Sequence, residues 1–121
     1  MTSDGTIVAS AEGKNLDNNA VVIADPAGVI RFWSIGAEKA FGYSADRAVG
    51  QTLDLIVPPE HREAHWIGFR RAMETGKAEA EGLNGPFPVR RASGGVEPTA
   101  GTLTLLRQAQ GQVIAAMVVF G

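Results

Sequence analysis

Ala20-Val21-Val22-Ile23-Ala24-Asp25-Pro26-Ala27-Gly28-Val29-Ile30-Arg31-Phe32-Trp33-Ser34 is the stretch on which the reading of the fold turns. Its first five residues form a short β-branched run. Asp25-Pro26-Ala27-Gly28 then sets Pro and Gly where a tight turn wants them. Val29 to Ser34 returns as a second apolar run, so the pair predicts an antiparallel hairpin. Strand alternation assigns Ile30 and Phe32 to one face, and Arg31 and Trp33 to the other.

Outward from the hairpin, Ala37 to Phe41 reads as one or two helical turns stopped by Gly42. Ser44 and Asp46 suit the cap of another short turn before Gly50. Leu53, Leu55 and Ile56 make an apolar knot, after which Pro58-Pro59 opens the longest helix, with Glu60 near its positive end. The pattern predicts that helix from about Pro59 to Thr75, ending at Gly76, packed across the sheet and burying Phe69 and Met73.

The remainder is β-rich. Pro86 to Arg91 reads as an edge strand because prolines are excluded from central ladders, and Ser93-Gly94-Gly95 as a turn. Thr102 to Leu105 alternates as a half-buried strand should. Val113 to Phe120 is apolar on both faces and reads as a central strand. The predicted order is two strands, small helices, one long helix, then three strands. Residues 1–19, rich in Ser, Gly, Asn and Asp, are expected to be an irregular lead-in to a single domain over 20–121.

Composition narrows the function classes. The chain has 121 residues, 45% hydrophobic and 20% charged, enough for a real core. A formal charge of −2 and only two Arg-Arg pairs, Arg70-Arg71 and Arg90-Arg91, leave no basic stripe for nucleic acid or an anionic membrane. The chain has no cysteine, which excludes disulfides, thiolate nucleophiles, Cys-ligated zinc and flavin–cysteinyl photochemistry. Residues 1–19 contain no long apolar run, so neither signal peptide nor membrane anchor is expected, and the expected location is cytoplasmic. No Gly-x-Ser-x-Gly elbow and no phosphate-cradling glycine loop occurs, so the expectation is a protein that binds and senses and is not an enzyme.

Both histidines fall on the long helix. His61, His65, Phe69 and either Ala72 or Met73 share one face by their spacing, with His65 in the middle of the stripe expected to face the sheet. Three roles are open to His65. It can be a core histidine bonded to a carbonyl. It can pair with His61, at i, i+4, on a metal, although Glu does not follow the first His as in metalloproteases and no third ligand cluster is visible. Or it can be the single neutral imidazole that holds heme iron in an apolar pocket.

The chain resembles the PAS domain family. The resemblance is carried by Val22-Ile23-Ala24-Asp25-Pro26-Ala27-Gly28-Val29-Ile30, by Ala37-Glu38-Lys39-Ala40-Phe41-Gly42-Tyr43-Ser44, by Val49-Gly50-Gln51-Thr52 to Ile56-Val57-Pro58, and by Gly111 to Phe120. It covers about residues 20–120. It implies an α+β PAS fold, a five-stranded antiparallel sheet with short helices and one long helix packed on one face, cupping a ligand pocket and signalling through dimer contacts.

Within that family, Arg62-Glu63-Ala64-His65 is similar to the Arg-x-x-His that carries the proximal heme histidine of oxygen-sensing members. The resemblance implies His65 as axial ligand, Phe69 and Met73 walling the ring and Arg71 near a propionate. Leu83 stands at the distal methionine position of one heme-binding group, and Gly85 falls near the distal arginine of another. Heme is thus the cofactor implied, ahead of flavin or a small organic ligand, for gas or redox sensing. The alternative is a cofactor-free module for protein–protein association. As a partner, the resemblance and the apolar strand Val113 to Phe120 imply a second copy, through the sheet or the N-terminal segment, with Trp33 and Val119 as exposed candidates.

Overall fold

The computed structural model describes residues 19–82 and 85–121. Strands β1 (Ala20–Ala24) and β2 (Ile30–Trp33) form the predicted hairpin. The Asp25 carboxylate builds its turn by accepting from the Ala27 and Val29 amides at 2.9 and 3.0 Å, while Gly28 takes a φ of 82°. Helix α1 (Ile35–Phe41) starts at Ser34, whose hydroxyl accepts from the Ala37 amide, and stops at Gly42 with a φ of 90°. Helix α2 (Ala45–Ala48) is capped by Ser44.

The long helix arrives as a 3-10 turn, Pro59–His61, running into α3 (Arg62–Thr75) and ending at Gly76. Beyond it lie β3 (Phe87–Arg90), β4 (Val96–Thr99), β5 (Gly101–Arg107) and β6 (Val113–Phe120). The main sheet is antiparallel in the order β2-β1-β6-β5, with β6 central as its two apolar faces predict.

Three details depart from the sequence reading. First, four strand segments follow the helix, not three: the chain bends at Ala100, so that β4 pairs with β3 while β5 joins the main sheet. Pro88 and Pro98 face each other across β3 and β4 and deny that pair two ladder donors. The hairpin therefore stands apart, fastened by bonds from the Arg90 amide to the Ile56 carbonyl and from the Ala92 amide to the Phe41 carbonyl, both 2.8 Å.

Second, Ile30 and Phe32 do not share a face. The register runs Ala24 with Ile30 and Ile23 with Phe32, leaving Arg31 as an extra, bulged residue. The bulge turns both Ile30 and Trp33 inward and leaves Phe32 47% exposed. Trp33 is therefore not an exposed docking residue. It is 4% exposed, donates from Nε1 to the Tyr43 carbonyl at 2.8 Å, and packs against the Phe41 and Tyr43 rings.

Third, α3 does not press Phe69 and Met73 fully into the sheet. Both are half-buried, and Ala72 is the buried residue of the helix. The buried side chains fall into two clusters. One surrounds Ile30, Trp33, Phe41, Val89 and Phe120; the other joins Ala72 to Leu105, Val113 and Ala116. Residues of both clusters wall the space between helix and sheet.

Candidate functional site

That space is a cavity of about 410 Å³, within the range of small-molecule sites. The sheet contributes Val22, Ala24, Leu103, Leu105, Ala116 and Val118, and the knot contributes Leu53 and Ile56. Helix α3 turns two i, i+4 rows toward it, Ala64-Gly68-Ala72 and His65-Phe69-Met73. Small residues on both walls, Ala24 and Ala116 from the sheet and Ala64, Gly68 and Ala72 from the helix, leave volume that larger side chains would fill.

His65 brings a polar atom to this apolar wall. It is half-buried, and its Nδ1 is buried without a hydrogen-bond partner among the described residues. Trp66 meets its ring edge-on at 4.9 Å and Phe69 lies tilted at 5.9 Å. Burial holds the imidazole below its ordinary pKa, against the opposing pull of the Asp54 carboxylate. The ring is therefore neutral near pH 7, the form that ligates a metal.

Of the sequence-predicted site residues, His65, Phe69, Arg71 and Met73 all line this one cavity, Arg71 from an exposed position. Leu83 lies outside the described residues, as does the N-terminal lead-in up to residue 18. His61 is exposed in the turn before α3 and does not line the cavity with His65. Among the described residues, no three His, Cys, Asp or Glu side chains gather as a metal-binding group.

The roles of two groups of residues around the site escaped the sequence reading. Trp66 lies directly on Gly28 and donates from Nε1 to Asp54 Oδ1 at 2.8 Å. Arg62, the first residue of the Arg-x-x-His stretch, donates to the Val57 and Asp54 carbonyls, both at 3.1 Å. Together they clamp the start of α3 onto the knot and the hairpin turn, which fixes the rotation that aims His65 at the cavity. Their i, i+4 spacing was the available signal; their partners were not legible. The other group is the segment after α3, from which Lys77, Ala78, Glu79 and Ala80 wall the cavity.

These residues fit a heme. An apolar slot offers one partnerless, neutral imidazole on its wall, and the cations of Arg71 and Lys77 line the same cavity, where anionic side groups can be met.

No helix among the described residues is long and apolar enough to cross a membrane. In sequence the chain is 31% identical over 65 residues, 54% of its length, to the oxygen sensor protein DosP of Escherichia coli. It is 28% identical over 80 residues, 66% of its length, to the sensor protein FixL of Bradyrhizobium diazoefficiens. The chain spans only 8% and 16% of those two proteins. In structure it resembles the PAS domain of a protein from Colwellia psychrerythraea, with a TM-score of 0.73 at 21% identity, covering 94% of this chain and 95% of that one. The sequence profile of the PAS fold matches residues 14–120, nearly the whole chain, and the chain belongs to the PAS family.

Proposed function

We propose that this PAS domain is a sensor that holds heme through His65 and reads a gas or redox signal at the iron. The observation that carries the reading is the buried, partnerless Nδ1 of a neutral imidazole on the wall of a 410 Å³ apolar cavity. Buried polar atoms are almost always satisfied, so a histidine that lines a ligand-sized space and keeps an orphan ring nitrogen among the described residues is a residue whose role the fold alone does not explain. The likeness to an oxygen sensor supports the same reading. Bound heme would supply an iron centre for a diatomic gas or an electron; the protein's part is to hold, orient and shelter it. In this reading Phe69 and Met73 would wall the ring, Arg71 and Lys77 would meet its propionates, and the compartment is the cytoplasm.

The test is reconstitution with hemin. Wild-type protein is expected to take up one equivalent and to develop a shifted Soret band. Arg71→Ala is expected to lose hemin to a scavenger several-fold faster with the same band position, because Arg71 would touch only a propionate at the exposed rim and not the iron. Wild-type protein without a Soret shift at saturating hemin overturns the reading.

A second reading, a module for self-association, is favoured by the outer sheet face. Val21 pairs with Val119, and Ile23 with both Phe32 and Met117, in a row opposite the cavity side. Such a face suits a second copy packed isologously. Sedimentation is expected to show a dimer with a Kd on the order of 1 µM, about 8 kcal/mol of association. Phe32→Glu is expected to weaken it at least tenfold. A monomer at ~100 µM, far above that Kd, removes this reading.

A further inference from the structure

We propose that Lys77–Gly82 is a strap closing the cavity, held shut by a latch between Glu81 and Arg107 that sets how fast an occupant enters and leaves. This deepens the regulation of the site described above, but it rests on the cavity and its wall, not on the identity of the occupant.

The strap begins and ends at glycines in the left-handed region, Gly76 with a φ of 75° and Gly82 with a φ of 81°. Both are left-handed conformations that residues with a Cβ rarely adopt. Between them, Lys77 to Ala80 wall the cavity. One guanidinium gathers both ends. Arg107 Nη2 donates to the Gly76 carbonyl at 2.7 Å and to Glu81 Oε1 at 3.0 Å, and Nη1 donates to Glu81 Oε2 at 3.2 Å. The same Oε2 accepts from the Leu105 amide at 2.9 Å, and the Gly82 amide donates to the Leu103 carbonyl at 2.9 Å.

Arg107 reaches the strap by strand alternation, two residues beyond Leu105 on the cavity side of β5. β5 and β6 slip between Leu106 and Arg107, so Arg107 pairs with the inward Val113, and Ile114 is left over. The extra residue lies in β6, where it turns Val113 inward opposite Arg107 and leaves Ile114 exposed.

The apolar hold on the strap is slight by comparison. Ala78 packs against the second core cluster, whereas Lys77 and Glu79 are exposed. A segment fastened mainly by polar bonds at its two ends opens locally far more readily than the sheet it covers. The bidentate, charge-assisted pair is therefore the element that decides its closed lifetime. By contrast, the Arg91–Glu97 ion pair at 2.7 Å ties β3 to β4 away from the strap.

Hydrogen exchange of single amides by NMR tests the strap without any ligand, and hemin release to a scavenger tests it with one. In Arg107→Gln the Leu105 and Gly82 amides are expected to exchange roughly fivefold faster, the upper end of what a partly exposed ion pair carries. Amides of β1 and of the β1-facing side of β6 should stay unchanged. Hemin release should quicken by the same factor, with an unaltered Soret band and a Kd within about threefold, because entry quickens too. Glu81→Gln keeps an acceptor for the Leu105 amide and should move both readouts in the same direction by less; Arg91→Gln should move neither. The proposal is overturned if the two amides stay within twofold of wild type in both latch variants, or if all sheet amides accelerate together, since that is global destabilisation. If wild-type protein does not hold hemin, the exchange data still decide the strap, and only the heme reading falls. If hemin binds through His65 but leaves at the same rate from the latch variants, the strap falls and the heme reading stands.

Discussion

His65→Ala is expected to abolish the Soret shift that hemin acquires with the wild-type protein, while His61→Ala leaves it intact. The two histidines are one helical turn apart, yet only His65 lines the cavity; His61 is exposed in the 3-10 turn that precedes the helix. Losing an axial ligand should weaken hemin binding by more than the roughly 10–100-fold typical of a lost outer-shell partner. The variant also separates a ligand from a structural histidine without any hemin. A core histidine bonded to a carbonyl would take a hydrogen bond with it when removed, but Nδ1 of His65 has no partner among the described residues. Removing a buried unsatisfied atom relieves a penalty of about 1–3 kcal/mol, which offsets the packing lost against Trp66 and Phe69. The apo variant should thus unfold in urea close to the wild-type midpoint at pH 7. Burial lowers the pKa of His65 in the folded protein, so the unfolded chain binds the extra proton more readily. Wild-type stability should then fall as the pH drops through the ordinary histidine value of 6.5, and His65→Ala should lose that part of the slope. An unchanged hemin spectrum in His65→Ala, or a severe loss of apo stability at pH 7, would return His65 to a structural role.

What could be read beforehand was local. Asp25-Pro26-Ala27-Gly28 dictates its turn through its own side chain and a left-handed glycine, and Gly42 and Gly76 end their helices for the same conformational reason. The stripe His65-Phe69-Met73 follows from helical periodicity alone. The misread features all depend on partners distant in sequence. The Arg31 bulge leaves no trace in Ile30-Arg31-Phe32-Trp33, which alternates as well as any unbroken strand; the burial of Trp33 is decided by the Tyr43 carbonyl. An apolar helix face shows that α3 meets the sheet but not at what distance. Small residues from both elements, Ala64, Gly68 and Ala72 on the helix and Ala24 and Ala116 on the sheet, line the space left between them, and only the fold brings them to one cavity. Glu81 and Arg107, 26 residues apart, are likewise joined only by the fold.

Gly28→Ala should be the most destabilising single-methyl change in the molecule, and it should reach the candidate site. Gly28 holds a φ of 82°, a conformation that costs alanine on the order of 1–3 kcal/mol. A Cβ there would also collide with the edge of the Trp66 ring, at Cη2 and Cζ3. Trp66 cannot simply swing aside. Its Nε1 donates to Asp54 Oδ1, and its ring is wedged edge-on against His65 at 4.9 Å and Phe69 at 5.4 Å. Forcing a methyl into such a contact adds about 1–3 kcal/mol of overpacking. The expected total is roughly 3 kcal/mol, which lowers the Tm by more than about 10 °C in a domain of this size. Backbone strain and ring clash can be separated by pairing the change with Trp66→Ala. Removing the indole abolishes the clash but not the strain, so the double variant should be more stable than the sum of the single effects predicts, by roughly 1–2 kcal/mol. Additive effects would mean that the indole relaxes freely and that the turn does not fix the start of α3. The same displacement must pass to His65, the neighbour of Trp66 on the helix. Gly28→Ala should therefore bind hemin several-fold more weakly at a temperature where it remains folded, while the Soret position stays that of the wild-type ligand. A loss of stability with unaltered hemin affinity would show that the turn supports the fold without aiming the imidazole.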